Sequence, residues 1–253
     1  MGVLCRRSAH AWHNTTALSA FVQRRLEGRF PQMMKIALTP AFCSVYPDGI
    51  FGVVIARGCA NRPQTLAIAA DKRAVEGRLR QRFPGETIDA DRVARAYAQY
   101  FRPYGGRYPV VHQAKTVLAG RSIQSNSALV EAMFTAELDS LVLTSGHDLD
   151  ALRFPLAVDV AVAGDAYTML SGKDRVLKAR DMIVRDAEGI IASVAYGPDN
   201  RTHLRPDTDA ALFGAWCPEG INPTIVESHL EKLATLLRQE WPASTVEPVQ
   251  LVR

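Results

Sequence analysis

Several polar residues of this chain sit where apolar neighbours leave them something to do, and Asp159 is the first of them. In Leu156–Ala163 (LAVDVAVA) a strand's alternation puts Leu156, Val158, Val160 and Val162 on one face and Ala157, Asp159, Ala161 and Ala163 on the other. The large face packs into a core. The small face leaves room beside the carboxylate, which either receives a ligand's ammonium or pairs with an arginine beneath a helix packed on the alanines. Glu131 lies one turn inside a helix whose apolar residues nearly encircle it, so it requires a partner: a substrate group, or an arginine from the strands. His147, followed by Asp148 and Asp150, is placed in a loop just past that helix. An imidazole there either orients water and moves a proton or caps the helix carbonyls. These three residues have no second ligand cluster at workable spacing, so no metal is expected.

Two loops add to the set. Tyr196 and Arg201 flank the turn Gly197–Asn200, which either closes over a substrate or is an ordinary hairpin loop. In RPYGGRYP, residues 102–109, Arg102 and Arg107 interleave with Tyr104 and Tyr108. Such a loop either stacks its rings on RNA bases while its guanidinium groups meet phosphates, or turns its tyrosines inward. There is no G-x-x-x-x-G-K-[ST], no G-x-G-x-x-G after a strand and no G-x-S-x-G elbow. Ser125–Asn126–Ser127 has no lysine or histidine at a fixed spacing, so covalent catalysis is not supported and no cofactor is implied.

The elements that must position these residues can be read from period and punctuation. Short strands are expected at Lys35–Leu38 and Phe51–Ala56, and helices at 64–82 and 90–101, the second entered through Asp89 or Asp91. A short helix, His112–Leu118, is closed by Gly120. Ser125–Ser127 then supplies caps for a central helix, Ala128–Leu143, which stops at Ser145–Gly146. Strands follow at Leu156–Ala163, in a hairpin around Leu170–Lys173, and at Met182–Val184, Ile190–Tyr196 and Ala211–Trp216. The last helix has Asn222 as cap, Pro223 in its first turn, and Val226, Leu230, Leu233, Leu237 and Trp241 along one face. Helices and strands are mixed without strict alternation, which predicts an α+β fold with a mixed sheet and packed helices.

Composition bounds the rest. With 47% hydrophobic and 22% charged residues, 253 residues can bury a large core. No apolar run is long enough to span a membrane, no secretory core is found near the start, and Cys5, Cys43, Cys59 and Cys217 are scattered. A cytoplasmic protein with reduced thiols is expected. The net charge of +4 conceals a gradient: residues 35–125 carry 14 basic and 6 acidic side chains, and residues 126–253 carry 11 basic and 19 acidic. Either the basic half offers phosphates a positive face, or the halves dock and partly cancel. Residues 1–33 carry five arginines without clear periodicity, and are taken as a loosely ordered basic arm or as sequence upstream of a start at Met34. Residues 34–253 are taken as one domain.

Residues 94–219 carry a resemblance. The order ARAYAQYFRPYGGRYPVVHQAKTVLAGRSIQSNSALVEAMFTAEL, GHDLDAL, GDAYTMLSG and DMIVRDAEGIIASVAYGPDNRTHLRPDTDAALFGAWCPEG resembles the B3/B4 domain of the phenylalanyl-tRNA synthetase β subunit. The landmarks are Glu131 after Leu129–Val130, the His147–Asp150 segment, and the Arg205–Thr208 run. The resemblance implies a B3/B4-like α+β sandwich and an editing pocket that removes a wrongly attached amino acid from tRNA. It covers none of the synthetase's aminoacylating parts, so it implies no ligase. Where the family has a Gly-Gly-Glu run, this chain has Gly197–Pro198–Asp199–Asn200–Arg201, which carries the acidic role to Asp199. The family's Asn-rich stretch is kept as Asn126. Read this way, His147 and Asp199 are catalytic, while Asn126, Glu131, Asp159, Tyr196 and Arg201 hold the amino-acid moiety. Arg102, Tyr104, Arg107 and Tyr108 then meet the aminoacylated tRNA. The activated ester needs only a positioned water and a steadied oxyanion, without a nucleophilic triad. A non-catalytic amino-acid- or RNA-binding module and a small-molecule hydrolase are the rival readings.

Overall fold

The computed structural model describes residues 36–253, so the expectations for residues 1–33 and for Cys5 lie outside the described residues. The elements are β1 (Ile36–Leu38), α1 (Pro40–Val45), β2 (Ile50–Arg57), α2 (Ala69–Arg82), α3 (Arg92–Phe101), α4 (Pro109–Leu118), α5 (Ala128–Ser140), β3 (Thr144–Asp148), β4 (Leu156–Val160), β5 (Ala166–Thr168), β6 (Asp174–Val176), β7 (Met182–Asp186), β8 (Gly189–Ser193), β9 (Gly197–Pro198), β10 (Ala210–Cys217), α6 (Pro223–Glu240), β11 (Thr245–Val246) and β12 (Gln250–Val252). This is the α+β arrangement expected.

One sheet runs β1-β4-β7-β8-β9, parallel only between β1 and β4. The other runs β11-β2-β10-β3, with β12 also on β2. β5 and β6 form a separate hairpin. The strand β10 is buried along its whole length because it lies between β2 and β3, and its near-continuous apolar run (AALFGAWC) suits that position. Gly214 is required there: a Cβ would fall 2.3 Å from Phe51 Cζ, and the Phe51 ring occupies that space, edge-on to Trp216 at 5.0 Å. In β4, Leu156, Val158 and Val160 are buried while Ala157 and Asp159 are half-buried, as the alternation predicts.

The helices are set by their caps. Asp91 accepts from Val93 N and Ala94 N at the head of α3, Ser127 Oγ accepts from Val130 N at the head of α5, and Asn222 Oδ1 accepts from Thr224 N at the head of α6. Such caps contribute about 1 kcal/mol each. α6 lays Val226, Leu230, Leu233 and Leu237 against the second sheet and α5, all fully buried and contributing roughly 1.5–3 kcal/mol apiece.

Several boundaries differ from expectation: the helix expected at 64–82 begins at Ala69, α4 begins at Pro109, β4 ends at Val160 and β8 ends at Ser193, and one further shift moves a site residue. α5 ends at Ser140, because Leu141 takes a left-handed conformation (φ 63°) and is itself fully buried, which turns the chain three residues early. The released segment forms β3, so His147 lies in a buried strand paired with β10, not in a loop.

Candidate functional site

A cavity of about 460 Å³ opens beside β3, the outer strand of its sheet. α5 supplies Val130, Met133, Phe134 and Glu137; the turn after β8 supplies Val194, Ala195 and Tyr196; and Leu143–Gly146 closes one side. Leu170, at the tip of the β5–β6 hairpin, and Arg107, before α4, stand at its margin and are both exposed. The lining is mostly apolar with a few polar groups, the usual composition of a small-molecule site.

Glu137 is the exceptional member. Its side chain is fully buried, and its one hydrogen-bond partner among the described residues is the Thr144 N–H, 2.8 Å from Oε1. Burial pushes its carboxyl up to about 8, with the single N–H pulling weakly the other way. A titratable group so displaced, at the wall of a cavity, is a candidate for proton transfer or for meeting a charged ligand. Gln113, on α4, also lines the cavity, and its Oε1 is buried with no partner among the described residues. Both groups accept hydrogen bonds.

The walls are held from behind. Ser193 lines the cavity but its hydroxyl is committed: it donates to Asp181 and accepts from Tyr196 N at 3.1 Å. Asp181 is fully buried and also receives Tyr100 OH at 2.6 Å and Ala195 N at 3.2 Å; burial raises its carboxyl and these hydrogen bonds oppose the rise. On the other side, His229 of α6 is buried between Thr144 Oγ1 (2.7 Å to Nε2) and Ser140 Oγ (2.8 Å to Nδ1), and desolvation lowers it to about 4. Its ring is neutral at pH 7 and serves as a strut for the β3 wall.

Of the eleven residues singled out in the sequence, Tyr196 and Arg107 line this cavity. Tyr196 is half-buried, with the Arg175 guanidinium 4.8 Å over its ring. His147 and Asp199 are brought together through one hydroxyl: Thr202 Oγ1 donates to Asp199 and lies 2.8 Å from His147 Nδ1. Neither borders the cavity, and burial lowers His147 to about 4, so its ring does not protonate near neutrality. Arg201 is an anchor, bound to Asp186 at 2.7 Å and to the Ala151 carbonyl at 2.8 Å.

Packing gives most of the remaining residues structural partners. Asp159 pairs with Arg185 at 3.1 Å and accepts from Thr39 Oγ1 at 2.7 Å, away from the cavity. Glu131 pairs with Lys72 of α2 and accepts from Thr65, so its partner is neither a substrate nor an arginine of the strands. Asn126 is exposed in the approach to α5; the amide that holds this approach is Asn61, whose Oδ1 accepts from Ser127 Oγ and Leu129 N. Tyr104 is buried against Tyr100, and Tyr108 is stacked on Tyr97 at 4.4 Å with its hydroxyl on the Leu141 carbonyl, so neither ring is free to stack on a base. Arg102 is exposed. Asp148 ties two landmark segments together, accepting from Arg205 at 3.1 Å and Thr208 at 2.9 Å. Among the described residues no group of three or more His, Cys, Asp or Glu side chains is placed to hold a metal ion, and no helix is long and apolar enough to cross a membrane.

Glu137 was missed in the sequence, and no local signal sets it apart. Neither Glu131 nor Glu137 has a cation three or four residues away on its helix. What separates them is tertiary: α2 brings Lys72 to Glu131 and nothing cationic to Glu137.

No family model matches the chain, and no curated protein matches it. Among solved structures it is similar to an N-terminal fragment of the phenylalanyl-tRNA synthetase β subunit from Pyrococcus horikoshii, with a TM-score of 0.44 and 11% sequence identity. The match covers 85% of this chain and 51% of that one, so the chain spans about half the length of that fragment.

Proposed function

We propose that this protein takes the aminoacylated end of a tRNA and hydrolyses the ester, releasing a wrongly attached amino acid. The observation that carries the reading is Glu137, a fully buried carboxyl held by one hydrogen bond at the wall of a cavity of about 460 Å³. Val130, Met133 and Phe134 form a surface for an apolar or aromatic side chain, and Gln113 Oε1 is an open acceptor for the α-amino group. Arg107 stands at the margin where a 3′-terminal phosphate would lie.

In this reading Glu137 does the proton work. Its ionised form takes a proton from water as the water's oxygen adds to the ester carbonyl. The tetrahedral intermediate then expels the ribose oxygen, which receives that proton; the carboxylic acid so formed gives its remaining proton to solvent and leaves as the carboxylate. A carboxyl titrating at about 8 is well matched to this role near neutrality. His147 and Asp199 fix the 197–202 turn, and Asp159 and Glu131 tie elements together, so none is given a part in the chemistry. Arg102 remains a proposed phosphate contact outside the cavity.

The test is a panel of tRNAs, each charged with a correct or incorrect labelled amino acid, incubated with the purified protein. Release confined to particular amino acids supports the reading. Binding of charged tRNA without release supports instead a non-catalytic module, a reading favoured by the commitment of Ser193 and by the low pKa of His147 and His229. Turnover of simple amino-acid esters with none of charged tRNA points to a small-molecule hydrolase.

A further inference from the structure

A second hollow, of about 320 Å³, lies between α3 and α4 and shares Phe101 and Arg107 with the large cavity. We propose that it seats the 3′-terminal nucleotide of an RNA strand, with Arg107, His112 and Lys115 around the phosphate. This rests on the reading that the large cavity takes the amino acid carried by that nucleotide.

Charge supplies the first argument. From residue 92 to residue 130 the sequence contains Arg92, Arg95, Arg102, Arg107, Lys115 and Arg121 and not one acidic residue. The five arginines are exposed, and none of them has an ion-pair partner among the described residues. Arg92 gives its Nε to the Gly220 carbonyl. Lys115 pairs with Asp89 at 2.6 Å, and the Asp89 side chain is itself 67% exposed, so water already screens that pair. At the hollow itself Arg107 and Lys115 face a single carboxylate, Asp89, and that excess of positive charge favours a phosphate.

Position supplies the second. Phe101 and Arg107 line both spaces, so the apolar cavity and the basic hollow lie side by side. The hollow's floor includes Ala94, Ala98 and Gly106, which let a ribose or a flat ring approach the backbone. α4 begins at its rim without a side-chain cap, so the helix adds partial positive charge to the same region. A nucleotide linked through its ribose to an amino acid has this division: an apolar or aromatic side chain at one end and a phosphate at the other.

The probe is a 5′-fluorescein-labelled CCA trinucleotide, followed by anisotropy at low and moderate salt. Wild-type protein should bind it, and binding should weaken as salt rises. His112→Ala with Lys115→Gln should weaken it about tenfold and flatten the log–log salt slope by about 0.7, the loss of one phosphate contact on a single strand. Asp89→Asn removes the hollow's one acid and should tighten binding, while Arg238→Gln, on exposed α6 surface, should leave it unchanged. No binding by the wild type, unaltered affinity in the double variant, or equal displacement by polyglutamate of matched charge would overturn the proposal. Deacylation of charged tRNA, measured alongside, keeps the two readings apart. If it persists while the double variant binds CCA normally, the hollow is wrong and the cavity stands. If CCA binding behaves as expected and no charged tRNA is turned over, the hollow stands and the editing reading falls.

Discussion

Glu137→Gln tests the physical premise of the site before any substrate is known. In the folded protein this carboxyl titrates at about 8, against 4.5 for an ordinary glutamate. Between those values the folded chain keeps a proton that the unfolded chain has lost. Stability is therefore fully present below about pH 4.5 and is lost as pH rises towards 8, at about 1.4 kcal/mol per pH unit. Over the whole window the loss is on the order of 5 kcal/mol, a large share of a domain's stability. Glutamine keeps the acceptor for Thr144 N and has no charge to bury. Urea denaturation at pH 5, 6.5, 8 and 9 should find the two proteins nearly equal at pH 5, and the variant more stable by several kcal/mol above pH 8. The difference between them cancels every other titration, including those of His147 and His229. Parallel profiles would refute the argument, because they would mean that Glu137 reaches enough solvent to ionise at no cost.

Two further outcomes follow from the packing. Asp159→Asn should lower stability by about 1–2 kcal/mol, since the Arg185 pair is only partly buried, and should leave substrate use intact; unchanged melting with lost substrate use would return Asp159 to the ligand. His229→Ala should cost about 2–4 kcal/mol at pH 7 by stranding Thr144 and Ser140 over a void. It should also reduce acid sensitivity between about pH 6.5 and 4, where the unfolded histidine binds a proton that the folded one refuses. An acid-unfolding profile that keeps its slope in the variant would count against a neutral buried ring.

The parts of the fold that could be read in the sequence are those where a local rule and the tertiary outcome coincide. Asp91, Ser127 and Asn222 cap helices because their side chains reach their own backbone, and the strands β2, β4, β7 and β10 follow apolar patterns that need no partner to be seen. β3 is different. Its sequence, Thr144–Ser145–Gly146–His147–Asp148, is polar and has no alternation, yet it is wholly buried because β10 pairs one side and α5, α6 and the 199–205 segment satisfy its polar groups. The early stop of α5 depends on a leucine in a left-handed conformation, which no residue preference announces.

The same division holds at the site. Tyr196 and Arg107 were legible because a turn and a basic loop mark themselves in sequence. Glu137, Gln113 and the commitment of Ser193 to Asp181 were not, since each is defined by what lies across the cavity or behind its wall. Asp159 and Glu131 drew attention as polar groups in apolar settings, and Tyr104 and Tyr108 as rings interleaved with arginines. The structure pairs Asp159 and Glu131 with cations of other elements, Arg185 and Lys72, and packs Tyr104 and Tyr108 on Tyr100 and Tyr97 of the preceding helix α3.

The central claim is that Glu137 moves the proton in ester hydrolysis, and single-turnover deacylation of a mischarged tRNA tests it most directly. The wild-type rate, corrected for uncatalysed hydrolysis, should rise with pH through a midpoint near 8 as Glu137 ionises and level off above it. Glu137→Gln, shown to be folded by its urea profile, should lose about 100-fold or more of that rate while holding charged tRNA with little change. An unchanged rate in the folded variant would contradict the account.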